Sequence, residues 1–282
     1  MKIALIQQRA TRDKQQNIAR GLANLEAAAR NGAQLACYAE LAFEWFHPQH
    51  PATGDVRSFA EPLDGPLVQA FREKAREHGI VVVLNLFERD GSATYDSSPV
   101  IDADGKLLGV TRMVHITEYA CFHEQGYYTP GDTGAPVFST RAGNVGVAIC
   151  YDRHFPEYMR GLALAGADLV VVPQAGAAGE WPEGLYEAEM RVAAFQNGYY
   201  VALCNRVGRE DRLEFSGESF ACAPDGAVIA RAGQGTEEIL YAEVDLAATA
   251  SSHARQLFLK HRRPELYGEW LKSDPARYAR SL

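Results

Sequence analysis

Gly143-Asn144-Val145-Gly146-Val147-Ala148-Ile149-Cys150-Tyr151-Asp152-Arg153-His154-Phe155-Pro156-Glu157 changes character at its middle. Gly143 to Ile149 is a short apolar run of the kind that forms a buried strand. Cys150 stands at its carboxyl end. Pro156 suits the first turn of a helix, where a missing N–H costs nothing. The stretch predicts a strand, a sharp turn carrying a cysteine, and a helix running to Gly166.

The same alternation recurs on both sides. Downstream, Asp168 to Val172 reads as a strand stopped by Pro173, Leu185 to Gln196 as a helix, and Tyr199 to Arg206 as a strand. Upstream, Ile3 to Ile6 reads as a buried strand. Ile18, Leu22, Leu25 and Ala29 mark one face of a helix that Asn31-Gly32 ends. Leu35 to Tyr38 is a strand leading to Glu40. Leu67, Phe71 and Ala75 mark a second helix closed by Gly79, and Ile80 to Leu86 is a β-branched strand. Two hairpins are expected. Tyr95 to Asp102 and Leu107 to Ile116 turn at Asp104-Gly105, and Phe215 to Ala223 and Ala227 to Ala230 turn at Asp225-Gly226. Ile239 to Val244 is the last strand. The pattern is α/β, with mixed sheets covered by helices. One domain over 1–282 is expected, with a polar C-terminal arm from about Asp245.

Composition narrows the function classes. The 282 residues are 47% hydrophobic and carry a net charge of −8. An acidic chain whose densest basic group is His261-Arg262-Arg263 does not suit nucleic acid. No apolar run approaches the roughly 18 residues that span a bilayer, and Met1 leads directly into a strand, so a cytoplasmic location is expected. Five cysteines without a CxxC pair fit neither a disulfide framework nor a four-cysteine zinc site. His47 and His50 lack an evident third ligand, so no metal is expected.

Reactive side chains in α/β folds gather at the carboxyl ends of strands. Glu40 and Cys150 both stand there. Cys150 in a strand-to-helix turn reads as an exposed nucleophile, with the next backbone N–H, from Tyr151, available to an oxyanion. The following helix favours a thiolate. Cys37, Cys204 and Cys222 lie within strands and read as core.

These residues, with their neighbours, resemble the nitrilase superfamily of carbon–nitrogen hydrolases. The resemblance rests on Lys2 to Gln7, Ala39-Glu40-Leu41, Tyr128-Thr129-Pro130-Gly131-Asp132 and Gly146 to Glu157. It continues through Asn205-Arg206-Val207-Gly208, Phe215-Ser216-Gly217-Glu218-Ser219 and Arg262-Arg263-Pro264-Glu265-Leu266-Tyr267. It implies a four-layer αββα sandwich, usually paired as a homodimer, and a cysteine amidohydrolase without cofactor. Glu40 matches the base, Cys150 the nucleophile that forms a thioester, and Glu124 a second glutamate. The family's lysine does not carry over. Thr111-Arg112-Met113-Val114-His115 puts Met113 at its position. Lys106, the nearest lysine in sequence, lies roughly 20 Å away along an extended strand. Arg112, His115 and His123 are the candidates for a substitute cation.

The resemblance also points to the substrate. In its amino-acid branches an arginine at the position of Arg153 holds a carboxylate, whereas its N-carbamoylputrescine branch carries glutamine. An arginine fork matches a carboxylate bidentately. The alternative for Arg153 is an internal ion pair with Asp152, Glu157 or another acid. Trp181, in the glycine-rich loop from Gly176 to Gly184, either lines the pocket or packs beneath it. The expected activity is hydrolysis of an amide or ureido bond in a small carboxylate-bearing molecule such as an N-carbamoyl amino acid. The alternatives are an N-carbamoylputrescine-type amidase, acyl transfer to an amine, and a non-catalytic binding protein in which Met113 has replaced the lysine.

Overall fold

The computed structural model describes residues 1–272. Two sheets form its centre. One has seven strands. In spatial order these are Glu238–Glu243, Lys2–Gln7, Leu35–Tyr38, Val81–Val83, Ala93–Ile101 and Leu86–Asp90, with Leu107–Arg112 also paired to Ala93–Ile101. The other has six, in the order Val228–Arg231, Phe220–Cys222, Tyr200–Asn205, Leu169–Gln174, Gly143–Val147 and Val137–Thr140. Each mixes parallel central pairs with antiparallel outer ones.

The strands' period of two builds the layers. Ile3 and Leu5 point with Val145, Val147, Leu169 and Val171 into a core between the sheets. Ala4 and Ile6 point the other way, onto helices α1 (Lys14–Arg30) and α2 (Pro66–His78). Val170 and Val172 likewise meet α3 (Pro156–Leu164) and α4 (Leu185–Asn197). The result is an α/β structure with mixed sheets in αββα order. Gly79, at φ +64°, caps α2 in the left-handed region where glycine carries no Cβ penalty.

Several expected strands are altered. Pro173 does not stop its strand, Leu169–Gln174, which runs on beside Tyr200–Asn205 after the pairing with Gly143–Val147 ends at Val171, so the missing N–H is not needed there. Ile80 to Leu86 splits into Val81–Val83 and Leu86–Asp90. The strand from Leu107 stops at Arg112 rather than Ile116, since the next main-chain groups turn to other partners. The Met113 N–H donates to the Asp96 carbonyl (2.9 Å), and the Val114 and His115 N–H groups to the Asp152 carboxylate. Phe215 to Ala223 is not one strand. Gly217 and Glu218, at φ +72° and +56°, break it. Glu214–Ser216 pairs with Val207–Arg209, while Phe220–Cys222 joins the six-stranded sheet.

The segment from Asp245 docks first and then emerges. Ala254 is fully buried, and the Arg255 guanidinium bonds the Ala167 carbonyl and the Asp168 carboxylate. Helix α5 (Pro264–Trp270) leaves Trp270 and Leu271 exposed. The rest of the expected arm, 273–282, lies outside the described residues. No helix among the described residues is long and apolar enough to cross a membrane.

Candidate active site

Cys150 ends the predicted strand and opens a 3-10 turn over Cys150–His154, with Tyr151 immediately behind it. Its φ of +40° is rare for a residue with a Cβ and marks a strained, over-determined position. Leu41, after Glu40, is also left-handed at φ +45°. Two side chains hold that second turn. The Asn85 carboxamide oxygen accepts the Leu41 N–H at 2.7 Å. The buried Arg206 guanidinium donates to the carbonyls of Glu40 (3.0 Å), Leu41 and Glu44 (3.0 Å), and to the Glu210 carboxylate.

The two strand ends bring Glu40 and Cys150 together, and Glu124 joins them from a separate direction. A two-stranded ribbon, Glu118–Tyr119 with Phe122–His123, turns at Cys121 (φ +67°) and delivers Glu124 into a 3-10 turn. Glu40 and Glu124 are fully buried, and Cys150 is 6% exposed.

Asp96 is a third carboxyl, missed by sequence reading. It is fully buried beside Glu40, and one oxygen accepts the Asn85 Nδ2–H at 2.6 Å. Two signals could have found it. Aspartate is depleted in strands, and Ala93–Ile101 is a strand. The hairpin register then pairs Ser97 with Arg112, so Met113 falls opposite Asp96 and shares its face. Met113 is accordingly buried, in the core cluster that contains Cys150, Phe122 and Tyr128. Its carbonyl accepts the Gly131 N–H at 2.7 Å. A Cβ on Gly131 would collide with the Arg112 carbonyl oxygen, which accounts for glycine in the Tyr-Thr-Pro-Gly-Asp stretch.

The expected substitute cations are engaged elsewhere. Arg112 points to the opposite face, where its guanidinium binds Glu88 and Asp90 and lies 4.0 Å from the Tyr95 ring centroid. His115 shares Asp152 through Nδ1 at 2.7 Å and stacks on Phe155. His123 contacts Glu118 at 2.7 Å. Lys106 is exposed in its hairpin turn.

Burial, before any neighbouring charge, disposes the three carboxyls to hold protons. Burial, then the Glu124 charge, pushes Glu40 up to about 7, while Asp96, Cys150 and Arg206 pull it down. Asp96 and Glu124 are raised well above the carboxylate range, each chiefly by burial and then by a neighbouring acid. Cys150 is also raised, by burial and by Glu40 and Glu124. These outweigh the Arg153 charge and the Ala175 N–H. Burial and the neighbouring acids thus oppose the thiolate that the following helix would favour.

The signs give a stability prediction. Between about pH 4.5 and 7 the folded chain keeps a proton on Glu40 that the unfolded chain has lost, so stability falls as pH rises through this window. Glu40 alone corresponds to about 3 kcal/mol, and Asp96 and Glu124 act in the same direction. Urea midpoints should fall from about pH 5.5 to about pH 8, and Glu40→Gln should flatten part of that slope. A flat wild-type profile would contradict the buried carboxyl cluster.

Arg153 borders the nucleophile. Its Nη1 donates to the Cys150 carbonyl at 3.0 Å, and its guanidinium lies 4.5 Å from the Tyr186 ring centroid. The acid near it is Glu189, at 3.5 Å from Nε, rather than Asp152 or Glu157. Nε and Nη2 are buried and make no hydrogen bond among the described residues. Trp181 was a sequence candidate, but the contacts around Glu180 beside it were not legible in the sequence. Tyr119 and Tyr186, far apart in the chain, both donate to Glu180. Trp181 follows, 6.0 Å from the Tyr119 ring and 5.2 Å from the His154 ring, with its indole N–H unpartnered.

Comparison with known proteins matches this arrangement. The carbon-nitrogen hydrolase family model fits residues 2–254. An N-carbamoylputrescine amidase of Solanum lycopersicum is 33% identical, with 96% of this chain and 95% of that protein covered. A citrullinase of Francisella tularensis is 32% identical, covering 95% and 97%. The crystal structure of a carbon-nitrogen hydrolase from Helicobacter pylori G27 superposes with a TM-score of 0.89 at 28% identity, over 96% of this chain and 98% of that one. An amidase from Nesterenkonia sp. AN1, solved with acrylamide added at its active-site cysteine, superposes at 0.81 with 27% identity, over 96% and 100%. A family match over nearly the whole chain, and the shared fold, lead to one conclusion: this chain belongs to the carbon–nitrogen hydrolase family, within the nitrilase superfamily.

Proposed function

We propose that the chain hydrolyses a C–N bond in a small molecule carrying a carboxylate, through a covalent intermediate on Cys150. The observation that carries this reading is the convergence of a positive-φ cysteine, two buried glutamates and a buried arginine with unused donors. Glu40 takes the thiol proton. Sγ attacks the carbon, and the Tyr151 N–H supports the oxygen that gains charge. Glu124, protonated by burial, donates a hydrogen bond to the substrate. Glu40 returns its proton to the leaving nitrogen and then activates the water that resolves the thioester. Met113 fills the lysine position, so a neutral carbonyl gains no charged partner for its oxyanion and turns over slowly. A group that must titrate near 7 gives kcat/KM an acid limb there.

The test is ammonia release from N-carbamoyl amino acids, ω-amides and N-carbamoylputrescine. Turnover of an acidic substrate supports the reading. Met113 and the raised Cys150 favour a second reading, a binding protein without turnover. Ligand-dependent stabilisation with no ammonia from any substrate would select it.

Arg153 sets the preference for acids. Its Nη2, with Nε held only by the 3.5 Å ion pair to Glu189, suits a carboxylate better than the ammonium of putrescine derivatives. Arg153→Gln is expected to raise KM for a ureido acid by about 10–100-fold with a smaller change in kcat, as loss of a charge-assisted hydrogen bond does. A fall in kcat with KM unchanged would assign Arg153 to the nucleophile turn instead.

Assembly belongs to this proposal. Trp270 and Leu271 are 68% and 60% exposed beside Leu164 at 50%. Such an apolar face marks an interface, and a homodimer through it is expected. Sedimentation should give twice the 30.9 kDa chain mass, and Trp270→Glu should reduce it. A monomer at all concentrations would refute the pairing. Reaction through a free thiol suits a cytoplasmic location.

A further inference from the structure

Three buried carboxyls crowd the reacting centre, and among the described residues no lysine or arginine side chain bonds to them. Among the described residues, both Glu40 oxygens, Asp96 Oδ2 and Glu124 Oε1 are buried with no N–H donor, Glu40 having only Asp96 and the Cys150 thiol beside it. The Tyr128 hydroxyl, buried near the same three acids, is also unpartnered. Of the two arginines nearby, Arg206 commits its terminal nitrogens to main-chain carbonyls and Glu210, and Arg153 lies beyond the nucleophile. Buried polar groups left unpaired are costly and call for a partner. The complement of several carboxyl oxygens is a planar cation rich in N–H donors, as a guanidinium is. A neutral ureido group supplies N–H donors without charge, and its carbonyl oxygen demands a donor where Met113 offers none.

We infer that the preferred reacting group is a guanidinium or amidinium carbon, on a molecule whose far end carries the carboxylate held by Arg153. This rests on the reading of Cys150 as nucleophile, and it changes the meaning of Met113. A thiolate adding to a neutral carbonyl creates an oxyanion. Added to an amidinium carbon, it creates a neutral adduct, so a lysine has no charge to stabilise and would repel the substrate.

The steps balance. Glu40 accepts the Cys150 proton. The C–S bond forms while the C=N pair moves onto nitrogen, cancelling the positive charge. Glu40 returns the proton to a terminal nitrogen, the C–N bond breaks, and ammonia leaves an S-bonded amidinium cation. Glu40 then takes a proton from water as the hydroxyl adds to carbon. The C–S bond breaks, the proton lost from oxygen restores the thiol, and Glu40 passes the proton it took from water to the ammonia. Guanidinium plus water gives a ureido product plus ammonium.

Two matched pairs test this. Ammonia release is measured from 3-guanidinopropanoate and 3-ureidopropanoate, which differ only in the reacting group. Alkylation of Cys150 is measured with 2-chloroacetamidine and 2-chloroacetamide, each rate divided by that with free glutathione. The expected result is a preference of about 10-fold or more for the guanidinium substrate and the amidinium reagent. Turnover should vanish in Cys150→Ala, and both preferences should reverse in Met113→Lys. Ureido turnover exceeding guanidino turnover, or a normalised preference for chloroacetamide, would overturn the inference and leave the cysteine hydrolase reading standing. Failure of Cys150 to react with any of the four compounds would overturn both.

Discussion

Cys150→Ala is expected to reduce ammonia release by about 10⁴-fold or more, to the uncatalysed level, while leaving the fold intact. Loss of a nucleophile within a cooperative catalytic group costs on this scale because no neighbour can form the covalent bond. The fold should survive. Alanine carries the same Cβ at φ +40°, and the turn is held by other bonds, including Arg153 to the residue 150 carbonyl at 3.0 Å. Cys150→Ser should be nearly as inactive, since Glu40, titrating at about 7, would have to deprotonate an alcohol. Single-turnover mass spectrometry with the wild-type chain should show an adduct on Cys150. Ammonia release from the alanine variant within about ten-fold of wild type would end the covalent reading.

Met113→Lys is expected to raise turnover of a neutral ureido or amide substrate by about 10²- to 10³-fold, the usual worth of one oxyanion donor. The main chain at 113 is already fixed, by the Asp96 carbonyl on one side and the Gly131 N–H on the other. Its side chain shares a face with Asp96, so an ammonium there would meet the buried carboxyls. It would draw Glu40 and Cys150 downward, and the acid limb of kcat/KM should move below about 7. Guanidinium turnover should fall in the same variant. An unchanged pH profile with unchanged turnover would show that position 113 does not face the reacting centre.

The layered architecture was readable because period-two apolarity in the strands and period-3.6 apolarity in the helices report burial directly. Ile3 and Leu5 go to one core and Ala4 and Ile6 to another, as alternation requires. Glu40 and Cys150 were readable for a related reason. Both lie just past strands that end at Tyr38 and Val147, and strand ends in α/β folds share one rim. Asn205 and Arg206 stood out only as a pattern. In the structure Asn205 ties Gly176 to Gly217, and Arg206 braces the main chain behind Glu40. These are tertiary hydrogen bonds without a local signature.

The amino-acid sequence by itself determined the α/β class and the family, and it put forward Glu40, Cys150 and Met113 as candidates for the reacting centre. Each depends on local periodicity or on the order of short segments along the chain. Only the tertiary structure decided which groups share the buried space. It brought Asp96 beside Glu40, turned Arg112 out to Glu88 and Met113 in, and left Arg153 with donors unused. The physical reason is that burial and charge–charge coupling depend on distances across the fold. Carboxyls spread from residue 40 to residue 124 become one proton-holding cluster only when two sheets close over them and exclude water.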